Sequence, residues 1–321
     1  MNIRRPLLAL LLVTTSPAMV FAQSAYPTRP LRLVVPNPPG GTTDTLARLF
    51  APRLAERLGQ PMLVENRSGS NGNIATEIVA RASADGHLIL LGADAQIAVS
   101  PHVYKMAVDP VKDLTPIAAL STTRMILTVN SMVPARNFPE FLDYVKRANP
   151  PIAYASIGSG SLHHLAMEIL KQRAGINMLH VPFKGGGPAT IAVLAGEVPV
   201  MFGGNSTAAH TRSGKLRAIA AMSKTRSPLF PDVPTLNEFY PGLEVSTWIG
   251  LFVASGTAPS IVTRLHHEVN QLLADADLRE RIRTAGGMEP LALGQDEFAA
   301  LVRADYVKYA AVVKAVGVTV D

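Results

Sequence analysis

The chain has 321 residues, a formal net charge of +6 and no cysteine. Its core must hold without disulfide staples, and about 300 residues is enough for two domains of ordinary size. The positive excess includes no Lys/Arg block and 6% of residues are aromatic, which argues against a base-stacking nucleic-acid groove and for a mild field that attracts anions.

Arg4 and Arg5 open the chain, and residues 7–20 are a short apolar run interrupted by Ser, Thr and Pro17. Residues 20–22 (VFA) follow at the place where a signal peptidase reads small side chains. The pattern predicts a secretory signal over residues 1–22, cleaved after Ala22, and is too short for a membrane span. No cysteine follows it to carry a lipid. No later stretch is apolar for long enough to cross a bilayer, so the mature protein is expected to be soluble and periplasmic.

Strand and helix patterns then alternate. Residues 31–36 (LRLVVP) read as a buried strand. Leu46, Leu49, Phe50, Leu54 and Leu58 recur at helical spacing, with Pro52 as an expected kink and Gly59 as a stop. Residues 62–66 read as a second strand, 74–81 as a helix and 88–91 as a third strand. This order implies a parallel sheet with helices on both faces. The pattern restarts with strands over 125–129, 152–155, 178–181, 198–202 and 216–220, and helices over 139–147, 162–174 and 189–195. A strand over 248–254 and helices over 260–284 and 297–316 complete the chain. We expect two α/β lobes, each a doubly wound and mostly parallel sheet, joined by a two-crossing hinge. Lobe 1 is assigned residues 23–124 plus 248–321, and lobe 2 residues 125–247. Trp248 starts the strand of the second crossing; beside the crevice, its fluorescence would report closure.

Ligands of such sheets sit beyond the carboxyl ends of the strands. Five small, polar loops fall there. Residues 37–44 (NPPGGTTD) bring Asn37, Gly40, Gly41, Thr42 and Asp44 to the start of a helix, where unpaired N–H groups favour an anion. Residues 92–96 carry Ala93, Asp94 and Gln96. Residues 156–164 (SIGSGSLHH) repeat the device with Ser156, Gly158, Ser159, Gly160, Ser161 and His164. Lys184 and Gly185 lie in a fourth loop, and Gly204 and Asn205 in a fifth. Each loop alone is also compatible with an ordinary capped turn. A carboxylate gains about 1.5–3 kcal/mol per charge-assisted bond, so several converging donors offset much of its desolvation. An Asp94 that faced the crevice would disfavour a second carboxylate and favour a cationic group on the ligand.

Catalysis has little support. The adjacent pairs His163/His164 and His266/His267 point about 100° apart on a helix and rarely share a metal. There is no HExxH, and residues 157–161 (IGSGS) are not a nucleophile elbow.

Ordered segments along the whole mature chain resemble the extracytoplasmic receptors of tripartite tricarboxylate transporters, the Bug family. They include residues 26–32 (YPTRPLR), 39–44 (PGGTTD), 64–67 (VENR), 84–86 (ADG), 109–116 (DPVKDLTP), 154–156 (YAS), Gly158, Gly160, Ser161, His164, Leu165, 180–185 (HVPFKG), 213–217 (SGKLR) and 226–235. The resemblance implies a type II periplasmic-binding fold and no catalysis, cofactor or metal. It implies a small organic acid held in the inter-lobe cleft, at loops 37–44, 92–96, 156–164, 183–186 and 203–207, largely by backbone N–H groups and water. The implied partner is a permease of one large and one small subunit, and a monomer is the default expectation for a receptor that docks on a membrane partner. The chain departs from the family at Asn37, where an aromatic residue is common, and at Asp94 and Gln96, where small or hydroxyl residues are common. A sensor signalling to a membrane kinase, and a binder of an amine-bearing or neutral ligand, remain open.

Overall fold

A computed structural model describes residues 26–227, 230–286 and 288–317. The expected signal segment, residues 1–22, lies outside the described residues. In chain order the elements are β1 (Leu31–Val35), α1 (Thr42–Leu58), β2 (Met62–Asn66), α2 (Asn73–Ala80), β3 (Leu88–Ala93), α3 (Ser100–Val103), α4 (Pro110–Asp113), β4 (Leu114–Arg124) and β5 (Ile126–Asn130). They continue with α5 (Phe138–Arg147), β6 (Ala153–Ser156), α6 (Leu162–Ala174), β7 (Leu179–Pro182), α7 (Gly186–Ala195), β8 (Val200–Gly203), α8 (Asn205–Arg212) and β9 (Leu216–Ala221). The last are α9 (Leu236–Phe239), β10 (Ser246–Ala254), α10 (Pro259–Leu273), α11 (Ala276–Gly286), β11 (Glu289–Pro290) and α12 (Gln295–Val316).

These strands form two mixed sheets, one per lobe, in the order β11-β4-β10-β3-β1-β2 and β7-β6-β8-β5-β9. In the first, β1 pairs in parallel with β2 and β3, while β10 runs against both β3 and β4. In the second, β6 pairs in parallel with β7 and β8, and β5 runs against β8 and β9. The antiparallel strands β5 and β10 are those that follow the passage of the chain from one sheet to the other. β4 leads into β5 through Met125 alone, and β10 returns the chain beside β4. At this double crossing Thr247 Oγ1 accepts from the N–H of Thr123 at 3.0 Å and donates to its carbonyl at 2.6 Å. The hydroxyls of Thr123 and Thr247 also touch each other.

Apolar spacing explains which face each helix buries. Leu46, Phe50, Leu54 and Leu58 of α1 form one stripe against Leu31, Leu33 and Leu91 on one side of the first sheet. Phe298, Val302, Tyr309 and Val313 of α12 form another, on the opposite side, around Trp248 and Phe252. That second core continues into Leu162, Leu165 and Phe202 of the other lobe, and α12 packs against both the turn after β3 and α6. Among the described residues, no helix is long and apolar enough to cross a membrane.

Three differences from the sequence expectation have local causes. α1 runs on through Pro52 as one helix, losing the bond its missing N–H would have made. The expected helix over 260–284 is two helices, because Asp275 ends the first and its side chain caps the second by accepting from Leu278 N–H at 2.9 Å. β4 was not expected as a strand: Pro116 and the run of small and hydroxyl residues in LTPIAALSTTR give no clear period-2 pattern, and long pairing with β10 supplies what propensity does not.

Gly250 lies in β10 where Phe298 crosses it. A Cβ there would stand 2.3 Å from Phe298 Cζ and 2.9 Å from the Ala118 carbonyl oxygen. Gly250→Ala is therefore expected to lower stability by about 1–3 kcal/mol, read as a lower urea midpoint at an unchanged slope. A wild-type midpoint would contradict the close packing of α12 on this strand.

Candidate functional site

The carboxyl ends of β1, β2 and β3 share one edge of the first sheet, and those of β6, β7 and β8 share one edge of the second, because each trio runs in one direction. Tyr104, which follows α3, reaches across and donates its hydroxyl to the carbonyl of Ser159 in the β6–α6 loop at 3.0 Å. The two edges thus face a common crevice, which the Tyr104–Ser159 hydrogen bond bridges.

Helices α1, α6, α7 and α8 all begin at these edges. The N-cap residues of α1, α7 and α8 are Gly41, Gly185 and Gly204, and none supplies a side-chain cap. A Cβ built on Gly40, Gly185, Gly187 or Gly204 would meet nothing within 4 Å. First-turn N–H groups have no intrahelical acceptor, so three helix starts present donors to open space where an anion is favoured. At α6, Ser161 caps the N–H of His164 at 3.3 Å. The N–H groups of Leu162 and His163 are the first-turn donors that this cap does not reach.

The structure sorts the sequence-derived candidates into backbone that lines the crevice and side chains that brace it. Thr42 is exposed at the start of α1. Asn37 is engaged through its Oδ1, which accepts from the Thr43 hydroxyl at 2.6 Å, and through its carbonyl, which accepts from Asn66 Nδ2 at 2.9 Å. Asp44 is buried, accepting from Gly40 N–H and Asn66 Nδ2, each at 2.9 Å, and from Arg48 Nε at 3.0 Å. Burial acts to raise its pKa, but these bonds outweigh it and hold the carboxyl below its ordinary value. Asp44 therefore folds the glycine loop over the helix start, with its own oxygens already occupied.

In the loop after β3, the Gln96 side chain accepts from Ala93 N–H at 3.1 Å and donates to the Asn71 carbonyl at 2.9 Å. It ties this loop to the Ser70–Gly72 turn. Asp94 overturns the expectation of a carboxylate facing the ligand. It is 3% exposed, its Oδ1 accepts from Ala95 N–H at 2.8 Å, and its neighbours are Trp248, Asp305, Lys308 and Tyr309 in the interior under α12. Burial first, and the Asp305 carboxylate second, push its pKa well above the usual range. A carboxyl buried under α12 faces neither a second carboxylate nor an amine in the crevice. Trp248 is likewise interior, 1% exposed, donating from Nε1 to Asp305 Oδ2 at 2.8 Å with its ring edge-on to Phe298; it does not stand beside the crevice.

In the second lobe, Ser156 Oγ accepts from Gly158 N–H at 3.1 Å and lies 2.7 Å from His180 Nε2. Gly160 N–H is taken by His164 Nδ1 at 3.1 Å, so neither Gly160 N–H nor the buried His164 ring is free for a ligand. Lys184 is exposed beside Gly185. Asn205 starts α8, and its side chain lies outside the described residues. Sequence reading missed Tyr104, Asn66, Asn71 and His180 as parts of the site. Asn66 and His180 stood only inside quoted motifs, and no local signal marks Tyr104, whose partner is 55 residues away.

Comparison with known proteins finds a match over residues 46–318 to the family described as tripartite tricarboxylate transporter family receptor. Protein BugT of Bordetella pertussis is 32% identical, with 99% of each chain covered. Among solved structures, Rpa4515 of R. palustris with adipate is 31% identical, at a TM-score of 0.84, covering 92% of this chain and 100% of that one. MatC from Rhodopseudomonas palustris with bound malate is 33% identical, at a TM-score of 0.79, covering 90% and 100%.

A folded-state pKa raised at Asp94 means that the stability tied to it is complete below the ordinary carboxylate range and is lost as pH climbs through the raised value. Asn carries no such proton. Between about pH 5 and pH 9 the Tm of Asp94→Asn is expected to fall less than that of the wild type. Parallel profiles would place an ionised Asp94 in contact with water.

Proposed function

Because the chain belongs to the tripartite tricarboxylate transporter receptor family and is a solute-binding receptor, not an enzyme, we propose that its ligand is a small organic acid held in the crevice between the lobes. The observation that carries this reading is the set of three helix starts with glycine N-caps and no side-chain cap, opening where the carboxyl ends of the two sheets face each other. A fourth start, at α6, adds the N–H groups of Leu162 and His163.

A carboxylate suits these donors better than a neutral group. Each charge-assisted N–H bond contributes about 1.5–3 kcal/mol, and the several-kcal/mol cost of taking a carboxylate out of water is offset only where several bonds converge. Donors come from the first lobe at α1 and from the second at α6, α7 and α8. An acid that engages both favours the closed arrangement over the open one by its differential affinity for it. The acids held by two structural relatives, adipate and malate, carry a carboxylate at each end, which fits donors on both walls. The interior position of Asp94 removes the feature that favoured an amine-bearing ligand.

In this reading Gly40, Gly41, Thr42, Gly185 and Gly204 line the site with backbone. Asn37, Asp44, Gln96, Ser156 and His164 shape it, and Lys184 adds charge at its rim. The lobes divide near residue 124 and again near 247, at the threonine-bonded crossing. Residues 1–22 act as the export signal, and the partner is a permease of one large and one small subunit. Without Arg4 and Arg5 of the export signal, 28 of the 30 Arg and Lys stand against 24 Asp and Glu, a field that draws acids toward the crevice.

A thermal-shift screen of organic acids against their amide analogues tests the ligand class. An acid at about 100 times its Kd stabilises by about 2.7 kcal/mol, a rise of a few degrees in Tm for a chain of this size, and its amide analogue is expected to give none. A response to neutral or cationic compounds alone would overturn the carboxylate assignment.

A further inference from the structure

His164 and His180 lie face to face beneath the loop that joins β6 to α6, their ring centroids 3.8 Å apart and their planes 7° from parallel. Each ring holds one part of that loop. His164 Nδ1 accepts the Gly160 N–H at 3.1 Å, which fixes Nδ1 as the bare nitrogen and the ring as neutral. His180 Nε2 lies 2.7 Å from Ser156 Oγ, and that oxygen accepts the Gly158 N–H at 3.1 Å. The turn between them needs φ of +141° at Gly158 and +70° at Gly160, values that side chains resist. The turn thus rests on two imidazoles, and directly after it come the uncapped N–H groups of Leu162 and His163.

The surroundings leave little to stabilise a cation on either ring. Tyr154 of β6 stacks on His180 with centroids 5.1 Å apart. From α6, Glu168 Oε1 is 4.0 Å from His164 Nε2, but the same oxygen accepts from Lys171 Nζ at 2.7 Å and from the Tyr154 hydroxyl at 2.5 Å. Lys171 neutralises the carboxylate that would otherwise favour protonation. Burial, then the neighbouring His164, push the His180 pKa down to about 4. Burial also lowers that of His164, against the pull of Glu168.

We infer that the stacked His164–His180 pair is a proton-sensitive latch on the ligand loop: neutral, it holds the Gly158–Ser161 turn and aims the N–H groups behind it, and a proton on His164 releases it. Protonation at His164 Nδ1 puts a donor against the Gly160 N–H, so that bond is lost. The receptor then holds its solute at neutral pH and lets it go in acid. That the loop is a ligand loop rests on the proposed function; the latch itself does not.

Both histidines are therefore positioning residues, and the ligand-free mature protein tests them. The imidazole nitrogens of His164 and His180 and the exchange protection of the Gly160 amide are followed by NMR from pH 8 to pH 4. Gly160 protection is expected to fall by at least about tenfold in the interval where His164 takes up its proton. In His164→Asn, whose Oδ1 replaces Nδ1 as acceptor and does not titrate, protection persists through that interval. In His164→Ala it is low throughout. Wild-type protection that ignores His164 protonation, or a pH profile in His164→Asn identical to that of the wild type, would overturn the latch. Should His164→Ala not fold, the other two proteins still decide. Failure of the carboxylate assignment leaves this test standing, since it uses no ligand.

Discussion

A helix begins with N–H groups that its own backbone does not satisfy, and the architecture follows from where this chain leaves them open. At α1, α7 and α8 the N-cap is glycine with no side-chain cap. Glycine is a tolerable N-cap, and such starts forgo only about a few tenths of a kcal/mol each relative to a Ser, Asp or Asn cap. The chain does use such caps where nothing needs to bind. Asn137 caps α5 by accepting from Glu140 N–H, and Asp109 caps α4 by accepting from Val111 N–H. At the carboxyl edges of the two sheets α1, α7 and α8 go without a side-chain cap, while α6 has one from Ser161 that leaves Leu162 and His163 N–H uncapped.

Open donors are useful only if they are held still, and most polar side chains near the crevice serve that end. Asp44 binds the Gly40 N–H, Arg48 and Asn66 at once. Gln96 bridges the β3 loop to Asn71. Ser156, His164 and His180 support the α6 loop. The same logic extends to the frame. α12 packs on the first lobe through Phe298 and Tyr309 and touches α6 of the second, while the crossing strands are fastened by Thr123 and Thr247. The chain thus passes between the lobes through a narrow double crossing, and the Tyr104–Ser159 bond marks where the walls meet.

Local pattern made much of this legible. The β1-α1-β2-α2-β3 order followed from apolar runs and helical spacing, and the glycine loops stood out because glycine after a strand and before a helix has few other reasons to cluster. Orientation was not legible. Asp44, Asp94 and Gln96 sit in the right loops, but a loop residue can point to solvent or to core, and only the packing of α12 or the reach of Arg48 and Asn71 decides which. Partners far apart in sequence were also hidden: Tyr104 with Ser159, and His164 with His180. β4 was missed because pairing with β10, rather than its own residues, makes it a strand.

The most direct test is an amide-resolved NMR titration of the mature protein with a dicarboxylate such as malate. If backbone donors at helix starts capture the ligand, the largest shifts fall on the amides of residues 41–43, 162–163, 185–187 and 204–206, on both walls of the crevice. Shifts confined to one lobe, or centred on side chains such as Lys184 while those amides stay unmoved, would contradict the account.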